Sequence, residues 1–480
     1  MIHLEAVYHR ASQQFCYALN EEILMVGLQT GEEVEQVWIH YGDPFSTGIL
    51  GGNEAWEGSR EEIVTKMRLP QHLWWEIPVQ PPYKRCRYFF ELQAGAERVF
   101  YFEDGFHSPE DVKNGQLGQC FTFPWMNSVD INVTPKWVRE TVWYQIFPER
   151  FCNGNKENDP DWVKPWGYHT VNNLDFYGGD LDGIRQKLPY LQELGITGLY
   201  LTPVFESPSS HKYDTTDYRK IDPGFGDEET MKLLVQEAHD RGIRVMLDGV
   251  FNHCGSFNKW MDREKIYEKD GGYEPGAYLT ADSPYRDFFL FGDQDGWPDN
   301  DSYEGWWGHN TLPKLNYEGS EKLYQYVLDI AKRWLSPPYS IDGWRLDVAA
   351  DLGHSPEMNH RFWRDFRKTV KEANPDALIL AEHYGDASDW LSGDQWDTVM
   401  NYDAFMEPIS WFLTGLEKHS ERKDEHLLHN SQAFMCSMLS NMSRMQTGSL
   451  YAAMNELSNH DHSRFLTRTN RVVGRLRSEE

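Results

Sequence analysis

Four short stretches of this chain gather the side chains that acid, base and nucleophile chemistry needs. DGVFNH carries Asp248, Asn252 and His253, GWRLDVA carries Arg345 and Asp347, AEHYGD carries Glu382 and His383, and SNHDHSR carries Asn459, His460 and Asp461. An isolated Arg-x-Asp reads as a weak structural ion pair. In GWRLDVA, however, Trp344, Leu346 and Val348 share one strand parity while Arg345 and Asp347 share the other, so a buried strand aims a cation and a carboxylate the same way. Missing are a G-x-S-x-G nucleophile turn, zinc-ligand spacing and a Gly-rich phosphate loop. Three carboxylates flanked by His and Arg suit one proton donor and one nucleophile or base at an acetal, the apparatus of glycoside cleavage.

The elements that must position these clusters are legible from their rhythm. After FPWMNSVDINVTPKWVRE the text alternates strand, loop and helix: TVWYQIFPER, the helix near LDGIRQKLPYLQEL closed by Gly195, ITGLYLTPVF, the helix DEETMKLLVQEAHDR closed by Gly242, and IRVMLDGVF. EKLYQYVLDIAKRWL, IDGWRLDVA, RFWRDFRKTVKEANPD, ALILAEHY, WDTVMNY and LYAAMNELS continue it. Helices that end at Gly or Asn-Pro before β-branched strands mark parallel βαβ units. Seven strands counted in this way predict a TIM-type (β/α)8 barrel, in which catalytic residues sit at the carboxyl ends of the strands. All four clusters lie at such ends. Residues 254–318 break the rhythm and read as an inserted subdomain after the third strand. Residues 1–125, with QVWIHY, RYFFELQ and RVFYFE between turn residues, read as an N-terminal β-sandwich, and 126–480 as the barrel domain.

Composition narrows the partners. Lys and Arg number 46 against 75 Asp and Glu, for a formal net charge of −29, which repels nucleic acid and anionic membranes. The start lacks a secretory pattern, and no run reaches the roughly 18 apolar residues of a membrane span, so a cytoplasmic protein is expected. Cys16, Cys86, Cys120, Cys152, Cys254 and Cys436 are scattered without C-x-x-C, as reduced structural thiols are. The 19 Trp, 25 Tyr and 25 Phe supply rigid rings suited to sugar ligands.

In order and approximate spacing, DGVFNH, GWRLDVA, the Glu of ILAEHY and SNHD resemble the four short motifs of the α-amylase family of glycoside hydrolases. FPERF, YGGDLDG, HKYDTTDY and LPKLN, with the N-terminal β-domain, resemble its neopullulanase, cyclomaltodextrinase and maltogenic amylase branch. The resemblance is close over residues 135–465. It implies a retaining hydrolase of α-1,4, and in some members α-1,6, bonds in maltooligosaccharides, cyclodextrins or pullulan. Asp347 would be the nucleophile, Glu382 the general acid and later base, and Asp461 the stabiliser of the distorted sugar. Tyr213 would stack beneath that sugar, His253 and His460 would hold its hydroxyls, Arg345 would keep Asp347 ionised, and His211 and Asp248 would support the substrate site.

The resemblance also implies calcium near CNGNKENDP and YGGD, with Asn153, Asn155, Asn158, Asp159, the backbone of Gly178 and Asp180 as oxygen ligands; a solvated Asn/Asp-rich turn is the alternative. It implies a homodimer through the N-terminal domain, for which Trp56, Trp74 and Trp75 are the spare aromatics. Two departures stand out. VAAD and the longer LGHSPEMNHRFW follow the nucleophile where the branch commonly has VANE. Only residues 462–480 follow Asp461, where the family continues to an eighth strand and a C-terminal β-domain. The expectation is a barrel lacking its last unit, with unpaired edges on the first and seventh strands, and a non-catalytic glucan-binding fragment is the alternative reading.

Overall fold

Short strands, most of them apolar and buried, build two antiparallel sheets from the first 123 residues. Cys16–Ala18, Leu24–Thr30, Leu73–Val79 and Thr65–Arg68 pair in that order, and Ser59–Glu62, Gln36–Gly42, Cys86–Ala94, Glu97–Phe102 and Gly105–His107 form the second sheet, with Phe121–Phe123 added to Cys86–Ala94. The structure is a computed structural model and describes residues 1–480 apart from 46–57, 114–117, 168–171, 173, 268, 270–271 and 472–480. Val26, Leu28, Val37, Ile39, Tyr88 and Phe90 meet between the sheets. Trp74 and Trp75 are not spare surface rings, because each is only 3% exposed. The Trp75 indole N–H donates to Thr30 Oγ1 at 2.8 Å, and Trp74 packs with Phe15 and Leu69. Trp56 lies outside the described residues.

The second unit is a curled parallel sheet. Its strands, in spatial and chain order, are Trp143–Ile146, Gly198–Leu201, Arg244–Gly249, Gly343–Leu346, Leu378–Ala381 and Thr398–Val399. Register aligns Gly249 with Leu346, Leu346 with Ala381 and Ala381 with Val399, so the residues that follow these strands emerge side by side. Gly343 permits that close pairing: a Cβ there would sit 2.6 Å from Leu378 O. Crossover helices cover the outside. Leu181–Glu193 is capped by Asp180 and Glu228–His239 by Asp227. Glu321–Leu335 and Pro356–Ala373 begin at capping Ser320 and Ser355, each cap satisfying a free N–H of the first turn. Gly195 and Gly242, at φ +83° and +72°, turn the chain out of the first two helices in the left-handed conformation that side chains resist.

Parity on the fourth strand is as its sequence dictates. Trp344 points outward, its indole donating to Ala331 O of Glu321–Leu335 at 3.3 Å, while Arg345 points into the barrel and is fully buried. Truncating Trp344 to alanine would cost about 3–5 kcal/mol.

The seventh expected strand is reduced to one contact. The run LYAAMNELS begins inside the helix Thr447–Ala452, and of its residues only Met454 makes a parallel bridge, to Met400. A short apolar run serves a buried helix as well as a strand, and Ser449 fixes the helical choice by hydrogen bonding to Asn132 and to Thr398. Beyond Met454, His460 Nδ1 accepts from Gln145 Nε2 at 2.6 Å, tying this segment to the first barrel strand. The described residues of 254–318 form turns and short 3-10 helices stapled by the bridges His253↔Lys314, Phe291↔Tyr303 and Gly305↔Pro313.

Candidate active site

Arg345 is the floor of the site. Its Nη1 lies 3.0 Å from both carboxylate oxygens of Asp248 and 2.7 Å from Asp347 Oδ1, and its Nη2 lies 2.9 Å from Glu382 Oε2. One guanidinium thus serves three carboxylates projected from the third, fourth and fifth strands. Planar, fixed N–H directions make Arg the residue able to do this.

Asp248 is held by more than the cation. Tyr200 and Tyr213 both donate hydroxyl hydrogens to its Oδ2, at 2.6 and 2.9 Å. With the Tyr213 proton directed at Asp248, the His460 Nε2 contact with Tyr213 Oη at 2.7 Å must be a donation from His460. The Gln145 amide then donates to Nδ1, and the neutral Nε2–H tautomer is set. Burial, reinforced by Arg345, pulls the His460 pKa down to about 3, in agreement with a neutral ring.

Above this floor lies a cavity of about 680 Å3. Asp347, Glu382 and Asp461 all line it, together with His211, Tyr213 and His253. Arg345, Asp248 and His460 stand behind that wall. His460 therefore reaches the cavity through Tyr213, whose ring it parallels at 5.4 Å. His253 stacks on Trp306 at 5.0 Å with 12° between the rings, its Nε2 has no hydrogen-bond partner, and burial lowers its pKa to about 4. His211 Nδ1 accepts the Tyr213 backbone N–H at 3.1 Å, which places the ring proton on Nε2.

Three carboxylates around one cation leave the cluster short of positive charge. Burial pushes the Asp347 carboxyl well above its ordinary value, Glu382 and Asp248 add to that, and Arg345 opposes it. Burial also raises Asp248 against the pull of Arg345. Arg345 thus offsets part of that rise, and a cation in the cavity beside Asp347 would lower it further. The backbone joins the two carboxylates: Val348, at φ +37°, donates its N–H to Glu382 Oε2 at 3.0 Å.

Reading motifs alone missed several residues. Trp306 and Trp307, from the inserted segment, form one wall of the cavity, and the Trp306 indole donates to Asp351 Oδ2 at 2.9 Å. The doublet is visible as WWG, but no strand end marks it. Tyr384 and His419 also line the cavity. Glu456, whose pKa burial raises to about 8, keeps one buried oxygen without a partner; its only signal is proximity to SNHD. Asp351 and Ala350 of VAAD do border the cavity.

The six oxygen-bearing residues near the first barrel strand separate into two groups. Asp180 accepts from Gly154 N, Asn155 N and Gly183 N, and Asn155 Oδ1 accepts from Glu157 N, so both shape turns. Asn153 and Asp159 converge on Gly178: a Cβ there would sit 2.4 Å from Asn153 Nδ2 and 2.3 Å from Asp159 Oδ1. Asn153 Oδ1 is buried without a partner. Asn158 ends the adjoining short helical turn.

Residues 145–480 match the family described as alpha amylase, catalytic domain, and residues 1–127 match alpha amylase, N-terminal ig-like domain. Cyclomaltodextrinase of Geobacillus thermopakistaniensis (strain MAS1) is 40% identical over 470 residues, covering 96% of this chain and 73% of that protein. Neopullulanase 2 of Thermoactinomyces vulgaris is 37% identical over 482 residues, covering 97% and 73%. A solved cyclomaltodextrinase structure superposes with a TM-score of 0.81 at 36% identity, covering 97% of this chain and 73% of that one. With these matches and three carboxylates on one barrel-end cavity, the chain belongs to the α-amylase family.

Proposed function

We propose that this chain hydrolyses α-1,4-glucosidic bonds of maltooligosaccharides and cyclodextrins with retention of configuration, and that α-1,6 bonds of pullulan are within its range. The observation that carries this is the single guanidinium in contact with Asp347 and Glu382 on a cavity that Asp461 also lines. Asp347 attacks the anomeric carbon while Glu382 protonates the departing oxygen. The glycosyl ester on Asp347 is then opened by water that Glu382 deprotonates. Positive charge developing on the sugar supplies what the cluster lacks, so the ionised form of Asp347 is favoured most in the transition state. Asp461 faces that charge, and His253 and His211 offer ring nitrogens to the sugar hydroxyls. Tyr213, held parallel to His460, presents a flat apolar face to the ring.

Release of reducing ends from β-cyclodextrin and from pullulan, lost in Asp347→Asn and Glu382→Gln, tests the activity, and the pullulan products separate the two bond types, maltotriose coming from α-1,6 cleavage and panose or isopanose from α-1,4 cleavage. Asn153, Asp159 and the backbone of Gly178 converge, with Asn153 Oδ1 buried and unpartnered, and would hold a calcium ion. A homodimer through the N-terminal domain is part of the same reading, and light scattering at micromolar concentration tests it. Six cysteines that form no disulfide support a reducing, intracellular compartment. Among the described residues no helix is long and apolar enough to cross a membrane.

A further inference from the structure

We propose that Lys212 is a positioning residue, whose buried anchor sets the angle at which His211 and Tyr213 enter the cavity. This rests on the reading of that cavity as the glucan site. His211 and Tyr213 line the cavity, and Lys212 between them does not. Its backbone stands at φ +63°, a conformation that side-chain-bearing residues adopt only where the surroundings enforce it. The turn brings His211 Nδ1 within 3.1 Å of the Tyr213 N–H.

The enforcement is visible on the far side. Lys212 is 4% exposed, its Nζ donates to Ser207 O at 2.9 Å, and it lies 2.8 Å from Asp222 Oδ2. The ammonium also sits 5.1 Å from the centre of the Phe225 ring. Asp222 is fixed in turn by the backbone N–H groups of Ser207 and Gly224, at 3.0 and 2.9 Å. Glycine at 212 would accept the turn without strain but would leave the loop unanchored. Lysine supplies a tether long enough to reach a buried carboxylate. What the tether controls extends past the loop: Tyr213 Oη ends on Asp248 and His460, and Asp248 shares Arg345 with Asp347 and Glu382. A rotation of Tyr213 therefore reaches the reacting groups.

Lys212→Met removes the anchor and also strands the Asp222 carboxylate, so stability and positioning must be separated. The experiment measures kcat/KM on maltotriose, and the Kd of maltotriose by tryptophan fluorescence, for Lys212→Met, Lys212→Arg and Lys212→Met/Asp222→Asn, each with Tyr213 and with Tyr213→Ala. Placement errors at an active site cost tens of fold, so Lys212→Met should lower kcat/KM about tenfold when Tyr213 is present and less than about twofold when it is not. Asp222→Asn should restore the melting temperature of Lys212→Met without restoring kcat/KM, and Lys212→Arg should retain most of it. Equal losses in both Tyr213 backgrounds, or activity that returns together with stability in the double variant, would overturn the proposal. A wild-type chain without turnover would refute the hydrolase reading instead, and the same cycle read in Kd would still decide the role of Lys212.

Discussion

Replacing Arg345 with lysine keeps the charge and removes the geometry. In the native site the guanidinium makes contacts of 2.7 to 3.0 Å with Asp347, Glu382 and Asp248 while fully buried. A lysine ammonium is a point donor on a flexible stem, and it can meet about one of the three. Removing one partner of a buried ion pair costs about 3–5 kcal/mol; since lysine retains part of the interaction, a loss of about 3 kcal/mol near pH 8 is expected. The sign of its pH dependence follows from the direction of the shifts. Asp347 and Asp248 already titrate above the ordinary value of 3.8, with Arg345 opposing the rise. Without the guanidinium they titrate higher still. A carboxyl raised in the folded state binds more protons there than in the unfolded chain, so stability falls as pH climbs from the unfolded value through the folded one. The deficit of Arg345→Lys relative to wild type should thus be small near pH 4 and largest at pH 8, each further unit of elevation adding about 1.4 kcal/mol. Urea midpoints by tryptophan fluorescence at pH 5, 6.5 and 8, at constant ionic strength, measure it. A deficit that is the same at all three, or below about 1 kcal/mol at pH 8, refutes the three-carboxylate account.

Asp347→Asn should abolish turnover yet raise the urea midpoint at pH 8, because it removes one of three buried carboxyls that share a single guanidinium; a lower midpoint contradicts this. Tyr200→Phe deletes a buried donor to Asp248 and should lower stability by about 1–3 kcal/mol, read by the same melts. His253 and His460 titrate at about 4 and about 3 against an ordinary 6.5. Their contribution to stability is therefore present above pH 6.5 and is lost as pH falls toward those values, and His253→Gln should flatten the decline between pH 6.5 and 4.5. Chelation of calcium should lower the melting temperature, with restoration on adding it back, and Asn153→Ala should erase that response.

The parity of GWRLDVA was legible because a parallel strand covered by helices leaves few ways to place Arg345 and Asp347 other than inward. The strand-end clusters were legible for the same reason: register alone brings Asp347 and Glu382 side by side. Parity says nothing of depth, so His460 was read as touching the sugar when it stands behind the cavity wall, and His211 was read as a support from behind when it lines the cavity. The LYAAM run misled because apolarity over five residues does not distinguish a strand from a helix, and the hydrogen bonds that the adjoining Ser449 accepts from Asn132 and Thr398 decided. Trp74 and Trp75 misled in the opposite direction, since nothing local separates a core indole from a surface one. Lys212 offered no signal at all, as its role depends on a carboxylate ten residues away and on a backbone angle.

The central claim is that Asp347 forms the bond to the sugar. Glu382→Gln, which slows departure of the leaving group and opening of the ester, can be incubated with an activated α-glucosyl fluoride, digested and mapped by mass spectrometry. The account predicts a glycosyl adduct on the peptide containing Asp347, absent in Asp347→Asn/Glu382→Gln, together with initial release of the α-anomer by the wild type. An adduct on another residue, or initial release of the β-anomer, would contradict it.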